Sequence, residues 1–261
     1  MWQKIVLLGA GGVAESFLDN LVKAGNPPIA VYNRTPEKAE RLVARYSPST
    51  EVVYALASLP TDADLYIFAL SDRAIEDVAH NMPHTDGVWL HTAAVVPLAK
   101  LSLYHPSSGV FYLFNTFSPG IVIPFSHTPL FVEASNKMAN NAINQLSSTL
   151  RISPVESTIE LRRRLHLSGV LVCNFVNHLF TLTQRYLQEI GVSFSVVQPI
   201  IRTTCMKAMS ANPEDAQTGP AKRGDMETIE QHRILLQETA PSLLPIYDLL
   251  SESIASTHRR R

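Results

Sequence analysis

Four groups of residues have types and spacing suited to chemistry. The first is Gly9-Ala10-Gly11-Gly12-Val13-Ala14, a G-x-G-x-x-G/A pattern between an apolar run and a helical one. Gly9 permits a tight turn, Gly11 lets backbone approach a pyrophosphate, and Ala14 keeps helix and strand close. The helix that follows offers free N–H groups and a positive dipole end to phosphate. The second group is Asn33-Arg34-Thr35 at the end of the next apolar run. An NAD site places Asp or Glu there for the ribose 2′-OH. This chain has an Arg with Asn and Thr beside it, suited to a 2′-phosphate, so the pattern favours NADP(H). Lys38 is a possible second cation near that phosphate, although its stem suits the helix surface better.

The third group lies at the ends of later apolar runs: Leu70-Ser71-Asp72, His91-Thr92-Ala93 and Asn115-Thr116-Phe117. In a doubly wound sheet, ligands lie beyond the carboxyl ends of the strands, so these triplets are expected to line the cofactor cleft. His91 could donate a proton or could be a histidine satisfied by local hydrogen bonds. The fourth group is in the second half. His166, Asn174, Asn177 and His178 interrupt an apolar helical stretch. At 3.6 residues per turn, His166 and Asn177 share a face and Asn174 falls in the same stripe. Buried polar groups need partners, so the stripe faces a polar cleft or carries an internal network. His166 is the candidate proton donor or substrate-orienting group, because imidazole titrates near working pH. No Cys or His spacing here matches a metal site.

These groups need a scaffold. Lys4–Leu8, Ile29–Tyr32, Leu65–Leu70, Val88–His91, Val110–Phe114 and Leu130–Glu133 read as strands. Val13–Ala24 reads as a helix, and another begins with Thr35 as N-cap and Pro36 in its first turn. Ser71–Asp72 reads as the cap of a helix over Ala74–Ala79. Alternating strands and helices predict an α/β Rossmann-like, doubly wound parallel sheet. From Ser157 the strand signals nearly vanish. Glu160–Ile190 reads as one long helix or two, and Phe194–Met209, Met226–Glu238 and Ser242–Ser256 read as helices. The expected division is a nucleotide-binding domain over 1–153 and a helical domain over 154–261.

The whole chain has 261 residues, 46% hydrophobic and 17% charged, with a formal net charge of −1. Near-neutrality gives no footprint for nucleic acid or an anionic membrane. Two cysteines, Cys173 and Cys205, do not form the pattern of a disulfide framework and fit a reducing cytoplasm. The start, MWQKIVLLGAGG, runs straight into the glycine turn and does not read as a signal segment. No stretch reads as a membrane span, and the basic end HRRR reads as a frayed terminus.

Taken together, GAGGVA with NRT, Ser71–Asp72, the HTAA segment, HLSGVLVCNFVNHL and TGPAKRGD resemble the two-domain Rossmann-like NADP oxidoreductases whose C-terminal helical domain has no assigned function. The N-terminal motifs are shared with pyrroline-5-carboxylate reductase, deazaflavin-dependent NADP reductases and 6-phosphogluconate dehydrogenase-like enzymes. The resemblance covers nearly the whole chain. It implies a helical domain of the 6-phosphogluconate dehydrogenase C-terminal type, NADP(H) as cofactor, a small-molecule substrate and a homodimer. The β-hydroxyacid dehydrogenases carry a catalytic Lys four residues before an Asn. With Asn174 as that Asn, the Lys position holds Val170, so that chemistry does not transfer.

The expected sites follow from these readings. Gly9 through Ala14, Asn33, Arg34, Thr35, Leu70, Ser71, His91 and Thr92 are expected to hold the cofactor. His166 and Asn174 are the catalytic candidates, and Asn115 and Arg223 the substrate candidates. In TGPAKRGD, Gly219, Pro220, Gly224 and Asp225 suit a turn and a helix cap, which leaves Lys222-Arg223 for a substrate anion or an internal salt bridge. The alternative function is a non-catalytic NADP-binding sensor or assembly protein.

Overall fold

A computed structural model describes residues 4–259. It contains one eight-stranded sheet in the order β3-β2-β1-β4-β5-β6-β7-β8. The strands are β1 (Ile5–Leu8), β2 (Ala30–Tyr32), β3 (Glu51–Val53), β4 (Leu65–Phe68), β5 (Val88–His91), β6 (Ser108–Leu113), β7 (Leu130–Ala134) and β8 (Pro154–Glu156). β1, β4, β5 and β6 are buried along their full length. Continuous apolar runs suit strands covered on both faces. Helices α1 (Gly12–Lys23), α2 (Pro36–Tyr46), α3 (Asp72–His80), α4 (Ala99–Ser102) and α5 (Lys137–Thr149) connect them.

The sheet is mostly parallel, as the doubly wound reading expects, with one exception. β7 runs antiparallel to β6, in the register Val110↔Glu133 and Tyr112↔Phe131. β8 then pairs parallel with β7. β3 and β8 are three residues long and partly exposed, so neither leaves an apolar run to read. Pro36 stands in the first turn of α2 as expected. Thr35 and Ser71 hold the N-cap positions of α2 and α3, but neither side chain makes a capping hydrogen bond.

One face of the sheet packs Phe17 against Phe125 and Phe111, with ring centroids 4.9 and 5.9 Å apart. Tilted and edge-on pairs of this kind add to the burial of apolar area. The long β6–β7 connection is fastened to α1 by polar side chains. Asn20 donates through Nδ2 to the Ile123 carbonyl (2.9 Å) and accepts from the Phe125 N–H (3.0 Å). The Ser16 hydroxyl accepts from the Ile123 N–H. The Glu15 carboxylate accepts from the Gly120 N–H (2.6 Å) and from the Tyr46 hydroxyl (2.7 Å).

The chain divides into two compact units, Met1–Cys173 and Asn174–Arg261. The sheet ends at Glu156, where strand signals were expected to stop. The first unit nevertheless keeps α6 (Ile159–Gly169), because α6 carries Arg162 into its interior. Arg162 is 0% exposed, and its Nη1 donates to Glu133 Oε2 at 2.6 Å and to Ser157 Oγ at 3.3 Å.

Beyond α6 the helix continues as a π segment, Val170–Phe175, and then as α7 (Val176–Glu189). The wider i→i+5 repeat shifts the angular phase of the residues that follow. The expected common face of His166, Asn174 and Asn177 therefore does not carry across the π segment. The whole stretch Ile159–Glu189 is also long and apolar enough, by length and composition alone, to cross a membrane, contrary to the sequence reading. The second unit adds α8 (Gln198–Ser210), α9 (Pro213–Ala216), α10 (Pro220–Arg223), α11 (Met226–Thr239) and α12 (Leu244–Arg259). Met1–Gln3 and the last two arginines of HRRR lie outside the described residues.

Candidate functional site

The glycine turn joins β1 to α1. Gly9 has φ = 120°, and a Cβ there would lie 2.2 Å from the Ala69 carbonyl oxygen. Only glycine fits both that backbone region and that approach. A Cβ on Gly12 would meet the Ser118 backbone at 2.9 Å, so this position is fixed by the β6–β7 connection crossing above it. Gly11 is different: a Cβ there would meet no atom within 4 Å. Gly11 is the N-cap of α1 and no side chain caps the helix. Open space over a glycine at an uncapped helix start suits a pyrophosphate. Ala14 is fully buried and lets α1 lie close on the sheet.

A cavity of about 400 Å³ opens beside this turn, lined by Ala10, Gly11, Glu15, Asn33, Lys38, Arg41, Leu42, Arg45, Tyr46 and Pro119. Asn33 is oriented by a hydrogen bond from Nδ2 to the Thr35 carbonyl (2.8 Å). Lys38, Arg41 and Arg45 are spaced three and four apart along α2 and therefore share one face. Arg45 is 3.5 Å from Glu15, whose carboxylate holds the back of the cavity. Arg34 and Thr35 are exposed beside it and do not line it. Lys38 lines this cavity together with Arg41 and Arg45, two cations the sequence reading did not single out. Their spacing on a helix whose opposite face buries Ala39, Leu42 and Val43 was the signal available.

A second cavity, of about 250 Å³, lies at the carboxyl ends of β4, β5 and β6. Its lining includes Val13, Leu70, Asp72, Thr92, Asn115, Tyr112 and His166. The Asn115 carboxamide is set by the Thr116 N–H donating to Oδ1 (2.8 Å) and by Nδ2 donating to Thr128 Oγ1 (3.3 Å). Thr92 Oγ1 donates weakly to the Phe68 carbonyl (3.4 Å). His166 is exposed on α6, four residues after the buried Arg162 and three before Gly169. Gly169 permits this approach, since its Cβ would meet the Phe114 ring at 3.1 Å. Arg162, His166 and Gly169 form one helical stripe toward the sheet. Ser71 is exposed and does not line the cavity.

His91 departs from expectation. It is 0% exposed at the end of β5 and presents no surface to a ligand. Its Nδ1 accepts from the Ala93 N–H at 3.3 Å. Burial, and then the Arg162 charge, push its pKa down to about 3, so it stays neutral at working pH. His91 lines neither of the two cavities. Its Nε2, and Nε and Nη2 of Arg162, are buried without a hydrogen-bond partner among the described residues.

The second-unit candidates are placed as follows. Asn174 is exposed, within the π segment, and is the first residue of that unit. Lys222 Nζ donates to the carbonyls of Gln217 (2.8 Å) and Asp215 (3.3 Å), which fixes the turn before α10. Gly219 and Gly224 have φ of 105° and 69°, and Asp225 caps α11 through the Thr228 N–H. Arg223 is exposed and 3.8 Å from the Asp225 carboxylate, the salt-bridge alternative in its weak, solvated form.

Comparison with known proteins fits this geometry. The family described as "NADP oxidoreductase coenzyme F420-dependent" matches residues 4–90, and a domain of unknown function (DUF2520) matches residues 128–254. A curated NADP(+) shikimate dehydrogenase from Shewanella woodyi is 38% identical over 77 residues, covering 29% of this chain and 28% of that protein. The chain thus spans little more than a quarter of that relative. A reductive aminase from Aspergillus terreus, solved with NADPH and ethyl levulinate, shares the fold with a TM-score of 0.68 at 16% identity, over 98% of this chain and 95% of that one. The structure titled a putative NADP oxidoreductase from Bacteroides fragilis superposes with a TM-score of 0.87 at 32% identity, covering 97% of this chain and 98% of that one. This chain therefore belongs to the family of two-domain NADP oxidoreductases in which a Rossmann-type nucleotide-binding domain is followed by a DUF2520 domain.

Proposed function

We propose that the protein is an NADPH-dependent reductase of a small molecule carrying a C=O or C=N bond, with an anionic group elsewhere in that molecule. One observation carries the reading. A basic cavity at the glycine turn and a smaller, mixed polar cavity at the ends of β4, β5 and β6 share the ligand side of one sheet. Gly9 through Ala14 would hold the pyrophosphate, and Asn33, Lys38 and Arg41, with Arg34 and Thr35 beside them, the ribose 2′-phosphate. When bound, the cofactor supplies a hydride equivalent. Leu70, Thr92 and Val13 shape the smaller cavity. Asn115, oriented on both sides of its carboxamide, and His166 orient the substrate; Asn174 stays a catalytic candidate.

The test is NADPH oxidation against cyclic imines, 2-oxo acids and flavin-type acceptors. Turnover with one class, abolished or sharply reduced in Asn115→Ala, is the expected result. NADPH binding without turnover on any acceptor would instead favour the sensor or assembly protein.

The same reading includes a homodimer, in a reducing cytoplasm that leaves Cys173 and Cys205 unpaired. Leu171, Val172, Phe175 and Leu179 are exposed on the long helix, and Ile200, Met206 and Met209 on α8. Surface of this kind is normally covered. A second copy suits it better than lipid, because His166, Ser168, Asn174, Asn177 and His178 would be costly inside a bilayer. The expected mass in solution is twice the 28.9 kDa of the chain, and a monomer at micromolar concentration would refute the dimer.

A further inference from the structure

Tyr112 is the polar group of the smaller cavity that nothing else accounts for. It lies on β6, with its ring in tilted contact with Phe114 and Phe131 at centroid distances of 6.2 and 6.5 Å. Both neighbours are apolar, as are Ala94, Val95, Leu98 and Val110 in the same packing cluster. The residue is 8% exposed, yet it lines the cavity together with Thr92, Asn115 and His166. Its hydroxyl has no hydrogen-bond partner among the described residues, whereas the fully buried Tyr66 donates to the Pro60 carbonyl at 2.6 Å. The ring is packed away, but the hydroxyl oxygen is not among the fully buried atoms and so opens onto the cavity. A hydroxyl that lacks a partner and borders a cavity at a strand's carboxyl end is arranged to meet a ligand.

We propose that Tyr112 is a catalytic residue: its hydroxyl donates to the oxygen or nitrogen of the substrate's C=O or C=N bond and supplies the proton that completes reduction. The inference rests on the reductase reading above. The step balances as follows. Carbon of the double bond gains the hydride and its electron pair from the nicotinamide cofactor. The π electrons move onto oxygen or nitrogen, which takes the phenolic proton, and the tyrosinate regains a proton from water. The substrate is reduced by two electrons and the cofactor oxidised by two.

The surroundings keep the phenol in its donor form. Burial pushes its pKa up to about 12. The charged and titratable groups lining the cavity are Asp72 and His166, and close by Arg162 of α6 pairs with Glu133 and acts on the buried His91. His91 is neutral, and Glu133 and Arg162 are committed to each other, so Asp72 and His166 are the two that solvent reaches freely. A tyrosine donor therefore predicts a rate that does not fall between pH 6 and 9.

Two measurements on the full-length protein test this. Tyr112→Phe, which keeps the ring and the packing, should lower kcat for the accepted acceptor class by roughly 10²- to 10⁴-fold while NADPH affinity changes less than about twofold. His166→Asn should raise KM more than it lowers kcat. An unchanged kcat in Tyr112→Phe, or a wild-type rate that falls within that pH range, overturns the tyrosine assignment but leaves the reductase standing. Absence of wild-type turnover on all three acceptor classes overturns both. The second readout needs no turnover. In protein labelled with 13C at tyrosine Cζ, the resonance missing from Tyr112→Phe should stay at its protonated position through pH 10.5. Titration of that resonance near the ordinary value of about 10 would contradict the proposal.

Discussion

Glu133→Gln is expected to destabilise the first unit by about 3 kcal/mol, lowering its thermal midpoint by roughly 6–10 °C, while Arg162→Met costs less than half as much. The asymmetry follows from where the two charges sit. Arg162 is 0% exposed and Glu133 is 33% exposed. Removing the carboxylate's charge leaves a guanidinium that water cannot reach, with two of its nitrogens, Nε and Nη2, already unpartnered. Removing the guanidinium leaves a carboxylate that can turn to solvent, and the unbranched Met side chain fills much of the space. Differential scanning calorimetry of the two variants checks the order. Equal losses, or a larger loss for Arg162→Met, would mean that packing by the arginine stem outweighs the buried charge. The pair matters for function because Arg162 anchors the helix that carries His166, and His166 is one turn further along the same stripe.

The second large effect concerns the cofactor. Lys38→Ala with Arg41→Ala is expected to weaken NADPH binding by roughly 100-fold and NADH binding by no more than about threefold, since charge-assisted hydrogen bonds contribute about 1.5–3 kcal/mol each. Arg34→Ala alone should have a smaller effect in the same direction. Arg34 is exposed beside the cavity, whereas Lys38 and Arg41 line it. Fluorescence titration of the two reduced nucleotides separates the contributions. A uniform loss for NADPH and NADH would show that α2 supports the nucleotide as a whole and not its 2′-phosphate.

The comparison of sequence with structure divides along physical lines. The buried strands were legible because both their faces are covered: Val88–His91 matches to the residue, and Ile5–Leu8 to within one. The glycine turn was legible because its backbone demands leave a fixed pattern. β3 and β8 were not, because three partly exposed residues carry no periodicity. The antiparallel turn of β7 was hidden because register and direction depend on the long β6–β7 connection, which is held by Glu15, Ser16 and Asn20 on a distant helix. The π segment broke an inference built on 3.6-residue spacing, since nothing in Val170–Phe175 marks it.

The site shows the same pattern. His91 stands where a ligand-side residue should, but it is fully buried, and only tertiary packing decides that. Tyr112 went unread for the complementary reason. It sits inside an apolar strand, and a tyrosine there reads as core. Its empty hydroxyl becomes visible only when its neighbours are known. TGPAKRGD resolved into a turn and a helix cap, with Lys222 holding the turn and Arg223 beside Asp225.

The most direct measurement is the dissociation constant of the wild-type protein for NADPH and for NADH under the same salt and pH. A cavity with three cations and no carboxylate at the end of β2 predicts NADPH binding at least about tenfold tighter. Equal affinities, or binding of neither nucleotide, would contradict the account.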